Sequence, residues 1–165
     1  MLDKLIAIVA TAFVGKFDKG GQPYILHCLH VMHKVGHKTN GDHIAMAIAV
    51  AHDLIEDTDW TADMLRDEGI PEEVIEGLEC LTHYPIGHPQ GLTYDDYIKS
   101  IAAFKDHRVV IVKMFDLEHN SKIHRMKGLR EKDFKRLEKY HRSYAFLASL
   151  YFSRISCLFD KSAVC

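Results

Sequence analysis

The stretch IAMAIAVAHDLIEDTDW, Ile44 to Trp60, limits what this chain can fold into more than any other part of it. Every residue from Ile44 to Ala51 is apolar, so a helix there is hydrophobic all round and has to be buried. His52 and Asp53 follow directly, which sends an imidazole and a carboxylate into the interior. Buried charge is costly unless it is paired or bound to a metal. Glu56, Asp57 and Asp59 come next. On a helix predicted over 44–56 these acids crowd the C-terminal end, where the macrodipole disfavours exposed anions by about 0.3–1 kcal/mol each. Repeated breach of a local rule at one place points to function. His52 and Asp53 can converge on one ion, since imidazole nitrogen and carboxylate oxygen suit manganese, iron or zinc. Glu56 lies one turn beyond His52, and Asp57 one turn beyond Asp53, so both overhang the same cavity. A carboxylate there orients a water or accepts its proton.

Two other segments supply what such a site still lacks. In GGQPYILHCLH a glycine-rich loop leads into a helix whose first turn carries His27. In VVIVKMFDLEHN, Asp116 follows an apolar run in which only Lys113 is polar, and Asn120 lies one turn further on the same face. Singly, a first-turn histidine is a helix-end hydrogen bonder and such an acid is a partner for an N–H or a cation. Together, H…HD…D in this order is a metal-binding pattern.

The rest of the chain is built to carry those segments. Apolar residues recur near the helical period throughout and no strand alternation is sustained, so the expected fold is all-α, one domain of seven to nine helices. Helices are predicted over 2–14, 25–37, 44–56, 62–68, 71–81, 93–104, 107–127 and 131–159. Asp42 is a predicted N-cap, and Thr93 with Asp96 a capping-box-like start. The domain is assigned to 1–160 and the residues 161–165 to a frayed tail. The segment 82–92 holds two prolines and two glycines and reads as a long irregular connection that could act as a lid. A formal charge of −2 argues against a general nucleic-acid binder, and no apolar stretch is long enough to span a membrane. Cys28, Cys80, Cys157 and Cys165 form no CxxC pair, so neither a disulfide framework nor a structural zinc site is expected. A reducing cytoplasm is the simplest setting.

With these residues in place, the chain resembles the HD superfamily. Within it, the likeness is to the RelA/SpoT-type hydrolases of guanosine tetraphosphate, and more closely to the small stand-alone alarmone hydrolases. The blocks that carry it are DKGGQPYILH (Asp18 to His27), AHDLIEDT (Ala51 to Thr58), LTH with the later TYDDYI (Leu81 to Ile98), and VKMFDLEHN (Val112 to Asn120). The resemblance implies a single divalent ion, usually manganese (Mn2+), on His27, His52, Asp53 and Asp116. It implies that Glu56 and Asp57 position or activate the attacking water, that Asn120 lies near the nucleotide and metal, and that Lys19 lines the nucleotide pocket. The implied reaction removes pyrophosphate from a ribose 3′ position of (p)ppGpp or a related purine alarmone such as (p)ppApp. The nucleotide would be the partner, on a monomer or homodimer.

Departures from the family pattern fall on the cations. Asp18 stands where the family commonly has arginine, His83 stands for lysine, and Cys28 for proline. Other readings of the same residues are a phosphatase of this superfamily for another nucleotide (a nucleoside monophosphate, a dNTP or NADPH) and a non-catalytic nucleotide binder. His30, His33 and His37 read as surface or supporting residues, and His119 as a partner for a ligand carboxylate or a packing residue. The basic run Arg125, Lys127, Arg130, Lys132, Lys135 and Arg136 reads as a solvated face or a guide for an anionic nucleotide. The aromatic series from Tyr140 to Phe159 reads as core or a self-association face.

Overall fold

A computed structural model describes residues 1–160, with side chains to Ser153, so the tail assigned to 161–165 and the side chains of Phe159, Cys157 and Cys165 lie outside it. Nine α-helices form among the described residues: α1 (Leu2–Ala12), α2 (Ile25–Lys38), α3 (His43–Ala51), α4 (Leu54–Asp57), α5 (Ala62–Asp67), α6 (Glu72–Leu81), α7 (Tyr94–Ala103), α8 (His107–Asn120) and α9 (Glu131–Asp160). A single 3₁₀ turn, Ile123–Arg125, joins the last two. No strand is present among those residues, only isolated bridges such as Phe17 with Pro23. The all-helical class and the helix number agree with the sequence. Among the described residues no helix is long and apolar enough to cross a membrane.

Helix α3 is the axis of the fold. It packs against α1, α2, α6 and α8, and Ala45 and Ala47 to Ala51 are fully buried on its several faces. Its small side chains let neighbours approach closely, and two of those neighbours give way to its larger ones. A Cβ on Gly77 of α6 would sit 2.8 Å from Ile48 Cδ1, and one on Gly36 of α2 would sit 3.0 Å from Met46 Sδ. Asp42 caps α3 as expected, its Oδ1 accepting the N–H groups of Ile44 (2.9 Å) and Ala45 (3.1 Å). Helix α9 covers the opposite side of the bundle against α8 and α7.

Two helix ends differ from the sequence expectation, and both matter for the site. The helix expected over 44–56 stops at Ala51, and a fresh turn begins at Leu54. His52 takes the carbonyl of Ala49 with its ring Nδ1 at 2.8 Å, which is the acceptor a continuing helix would have given to the N–H of Asp53. Glu56 and Asp57 therefore belong to the first turn of α4 and not to the unfavourable end of a long helix. The helix expected over 107–127 stops at Asn120. Ser121 Oγ donates back to Leu117 O (2.7 Å) and the Arg125 guanidinium donates to His119 O (2.8 Å), so carbonyls at this end are satisfied by side chains.

Ile48 fills the notch left by Gly77, so Ile48→Ala is expected to lower stability by about 2–5 kcal/mol. Urea denaturation should report this as a lower midpoint at unchanged slope.

Candidate metal centre

The break after α3 turns His52 and Asp53 toward α2 and α8, where His27 and Asp116 wait. His27, His52 and Asp116 are almost wholly buried, and Asp53 nearly so. His27 Nε2 lies 3.1 Å from His52 Nε2, 3.2 Å from Asp116 Oδ1 and 3.5 Å from Asp53 Oδ2. His52 Nε2 lies 3.0 Å from Asp53 Oδ2 and 3.6 Å from Asp116 Oδ1. His27, His52 and Asp53 each offer a donor atom within 4.8 Å of one another, as metal ligands must. Asp116 closes the set from the other side. Donors held at about 2.0–2.2 Å from one ion stand some 3.0–3.5 Å apart; four of the five spacings fall in that range and the fifth, His52 to Asp116, is 3.6 Å, so the set fits a single divalent cation.

The hydrogen bonds outside the set orient the donors for such an ion. His52 Nδ1 faces the Ala49 carbonyl at 2.8 Å, so it carries the proton and leaves Nε2 with its lone pair toward the cluster. His27 Nδ1 faces His119 Nδ1 at 2.7 Å. The same His119 nitrogen receives the Arg125 guanidinium at 2.9 Å, and a guanidinium only donates. His119 Nδ1 is therefore an acceptor, His27 Nδ1 is the donor, and His27 Nε2 points its lone pair inward. Tyr24 OH donates to Asp53 Oδ2 (2.6 Å), Asn120 Nδ2 donates to Asp116 Oδ1 (2.6 Å), and Lys113 Nζ pairs with Asp116 Oδ2 (2.9 Å).

Electrostatics carry the same message. Burial disfavours charge on either imidazole, but Asp116 and Asp53 outweigh it and raise the pKa of His27 and of His52. Burial likewise opposes charge on Asp53 and Asp116, yet His52 and Lys113 respectively hold them low. These opposed shifts show that the space between the donors favours positive charge. His119 is pushed down to about 3 by burial and by the Arg125 charge, which keeps it neutral and able to accept.

The cluster forms the floor of a cleft of about 420 Å³. Glu56 and Asp57 open onto it from α4. Desolvation raises the pKa of both, and the charge on Asp53 adds to the shift. Glu56 Oε2 accepts the backbone N–H of His83 at 2.9 Å, which ties the start of the 82–92 segment to this carboxylate. Inside that segment the rings of Tyr84 and His88 stack at 4.3 Å.

All eight sequence-chosen site residues come together: His27, Asp53, Asp116, Glu56, Asp57, Lys19 and Asn120 line the cleft, and His52 stands beneath them. Sequence reasoning missed others. Tyr24, Lys113, Lys122, Arg125, Arg136 and Tyr140 also line it. Lys113 was legible as the lone polar residue in an apolar run. Arg125 and Arg136 belong to the basic run read as a solvated face or a guide for an anionic nucleotide, and Tyr140 to the aromatic series read as core or a self-association face; none was chosen as a site residue. Asp18 does not simply remove a cation: its Oδ2 holds Arg125 at 2.6 Å, so a cation from a later segment reaches the cleft. His119 supports the histidine His27 and not a carboxylate, while His30 stacks on His119 at 3.9 Å. His33 and His37 are exposed.

No family model matches the sequence. The chain is 33% identical over 116 residues to the guanosine-3′,5′-bis(diphosphate) 3′-pyrophosphohydrolase of Haemophilus influenzae, a match spanning 68% of this chain and 17% of that protein. It is 33% identical over 105 residues to the protein of the same name from Aquifex aeolicus, spanning 63% of this chain and 15% of that one. A probable GTP pyrophosphokinase of Mycobacterium leprae is 30% identical over 125 residues, spanning 70% and 16%. The chain thus matches no more than 17% of the length of these curated relatives. The solved structure of a metazoan ortholog of SpoT, a protein that hydrolyses ppGpp, superposes with a TM-score of 0.72 at 15% identity, over 93% of this chain and 94% of that one. At that identity the likeness is one of fold. The resemblance read from the four motifs is borne out: this chain is related in sequence to the guanosine-bis(diphosphate) pyrophosphohydrolases and shares the fold of the metazoan protein.

Proposed function

We propose that this chain is a metal-dependent 3′-pyrophosphohydrolase of purine alarmones, (p)ppGpp or (p)ppApp, with manganese on His27, His52, Asp53 and Asp116. The observation that carries the proposal is the convergence, in one cleft, of two inward-facing imidazole lone pairs, two carboxylates and a pair of further acids. A divalent ion held there supplies Lewis acidity toward the phosphate and lowers the pKa of water.

The chain's own residues divide the remaining work. Glu56 is anchored through Oε2 by His83 and has its second oxygen available to take a proton from the attacking water. Its raised pKa brings it closer to neutral pH, where a general base works well. Asp57 stands beside it and holds Lys16, whose Nζ reaches the Asp57 carbonyl. Water adds to the phosphorus attached to the ribose 3′ oxygen as the bond from that phosphorus to the 3′ oxygen breaks; Glu56 accepts the water's proton, the departing 3′ oxygen takes a proton from solvent to become a hydroxyl, and pyrophosphate is the other product. Lys113, buried and kept charged by Asp116, faces the cleft beside the floor and offsets phosphate charge there. Lys19, Lys122, Arg125 and Arg136 line the same cleft and suit the remaining phosphates. Tyr140 and Tyr94 provide flat surface in the same wall.

Incubation with manganese and a panel of ppGpp, pppApp, dGTP and NADPH is expected to release pyrophosphate from the 3′-pyrophosphorylated substrates alone; orthophosphate as the main product overturns the reading. Asp53→Ala is expected to lose bound manganese and activity together. Glu56→Gln is expected to retain the metal and lose turnover by about 10²–10⁴-fold, and near-normal turnover removes Glu56 from the mechanism. Because the ionised form of Glu56 is the active one and its pKa is raised from 4.5, activity should fall as pH drops through a value above 4.5. A kcat/KM profile that stays flat down to pH 4.5 contradicts this role.

A further inference from the structure

Arg125 bridges two parts of the molecule that no single element brings together, the Asp18 turn and the end of α8. Its Nη2 donates to Asp18 Oδ2 at 2.6 Å, and its Nη1 donates to His119 O at 2.8 Å and to His119 Nδ1 at 2.9 Å. Asp18 in turn holds its own turn shut, Oδ1 accepting the N–H groups of Gly20 (2.8 Å) and Gln22 (2.9 Å). That turn carries Lys19, and it lies directly on the 3₁₀ segment, since a Cβ on Gly20 would come within 2.2 Å of the Arg125 carbonyl oxygen. On the other side, His119 Nδ1 accepts a hydrogen bond from the His27 Nδ1–H. The path Asp18–Arg125–His119–His27 therefore runs without a gap from the substrate-side turn to a metal-binding nitrogen.

We propose that Arg125 is a positioning residue that couples the Lys19 turn to the metal centre, holding His27 in its metal-binding orientation through His119. The inference rests on the metal-dependent reading above. Its physical content is the donor count. Arg125 has no acceptor, so His119 Nδ1 facing it has to be a lone pair, and that lone pair is what the His27 Nδ1–H meets. Without Arg125, His119 is free to present Nδ1–H or to rotate, and His27 loses the partner that fixes its tautomer and ring plane. Such outer partners of a ligating histidine are worth about 10–100-fold in metal affinity or activity.

The test is a double-mutant cycle in the full chain, with manganese affinity by calorimetry and KM for the nucleotide as separate readouts. Arg125→Gln is expected to weaken manganese binding at least tenfold and to raise KM, with Arg125→Lys intermediate because it keeps a donor. In a His119→Ala background, Arg125→Gln is expected to cause no further loss of manganese affinity while still raising KM, since the metal effect passes through His119 and the turn effect through Asp18. Unchanged manganese affinity in Arg125→Gln, or losses that simply add, overturns the inference. If wild type itself binds no manganese, the metal reading fails first. Should Arg125→Gln not fold, Arg125→Lys against His119→Ala carries the same comparison with the same two outcomes.

Discussion

Two imidazole nitrogens 3.1 Å apart, each presenting a lone pair to the same space, repel one another unless something positive stands between them. The rest of the molecule is arranged around that constraint. The Ala49 carbonyl and His119 Nδ1 take the outer ring protons and so force both lone pairs inward. Asp53 and Asp116 close the set with negative charge, and Tyr24, Asn120 and Lys113 hold those carboxylates in place. Burial multiplies the cost of leaving the space uncompensated. A cation there resolves the lone-pair repulsion and the carboxylate charge at once, which is the physical case for a metal centre.

The cleft above it carries charge of both signs. Asp53, Glu56, Asp57 and Asp116 supply acids to it, whereas Lys19, Lys113, Lys122, Arg125 and Arg136 supply cations. Acids beside a cation site, with further cations in the same cleft, suit a ligand that carries several phosphates. The cations come from the Lys19 turn and from the chain between α8 and the first turns of α9, so the early end of α8 matters to function as well as to fold. Had α8 run on through residue 127, Arg125 could not turn back to His119.

Much of this was legible in the sequence, for identifiable reasons. The apolar run Ile44 to Ala51 announces a buried helix, and α3 is indeed the axis of the bundle. Of the four residues proposed to hold the metal, His52 and Asp53 were legible because they follow an all-apolar run, and His27 and Asp116 only in combination with them. What was not legible involved residues that break none. Arg125 sits among several basic neighbours, and only the end of α8 at Asn120 singles it out. Tyr140 has the helical spacing of a core aromatic and lines the cleft nonetheless. The break after Ala51 was hidden for another reason: it is made by a side chain, His52 Nδ1 taking a backbone carbonyl, and residue propensities do not record that competition.

The claim on which the rest stands is that one divalent ion occupies the space between His27, His52, Asp53 and Asp116. Pulsed electron paramagnetic resonance on manganese-loaded protein tests it most directly, because nitrogen couplings count the imidazoles on the ion. The account expects one manganese per chain, coupled to two histidine nitrogens, with His27→Ala and His52→Ala each removing one coupling or the ion itself. A manganese ion that shows no histidine nitrogen, or a wild-type chain that binds none, would contradict it.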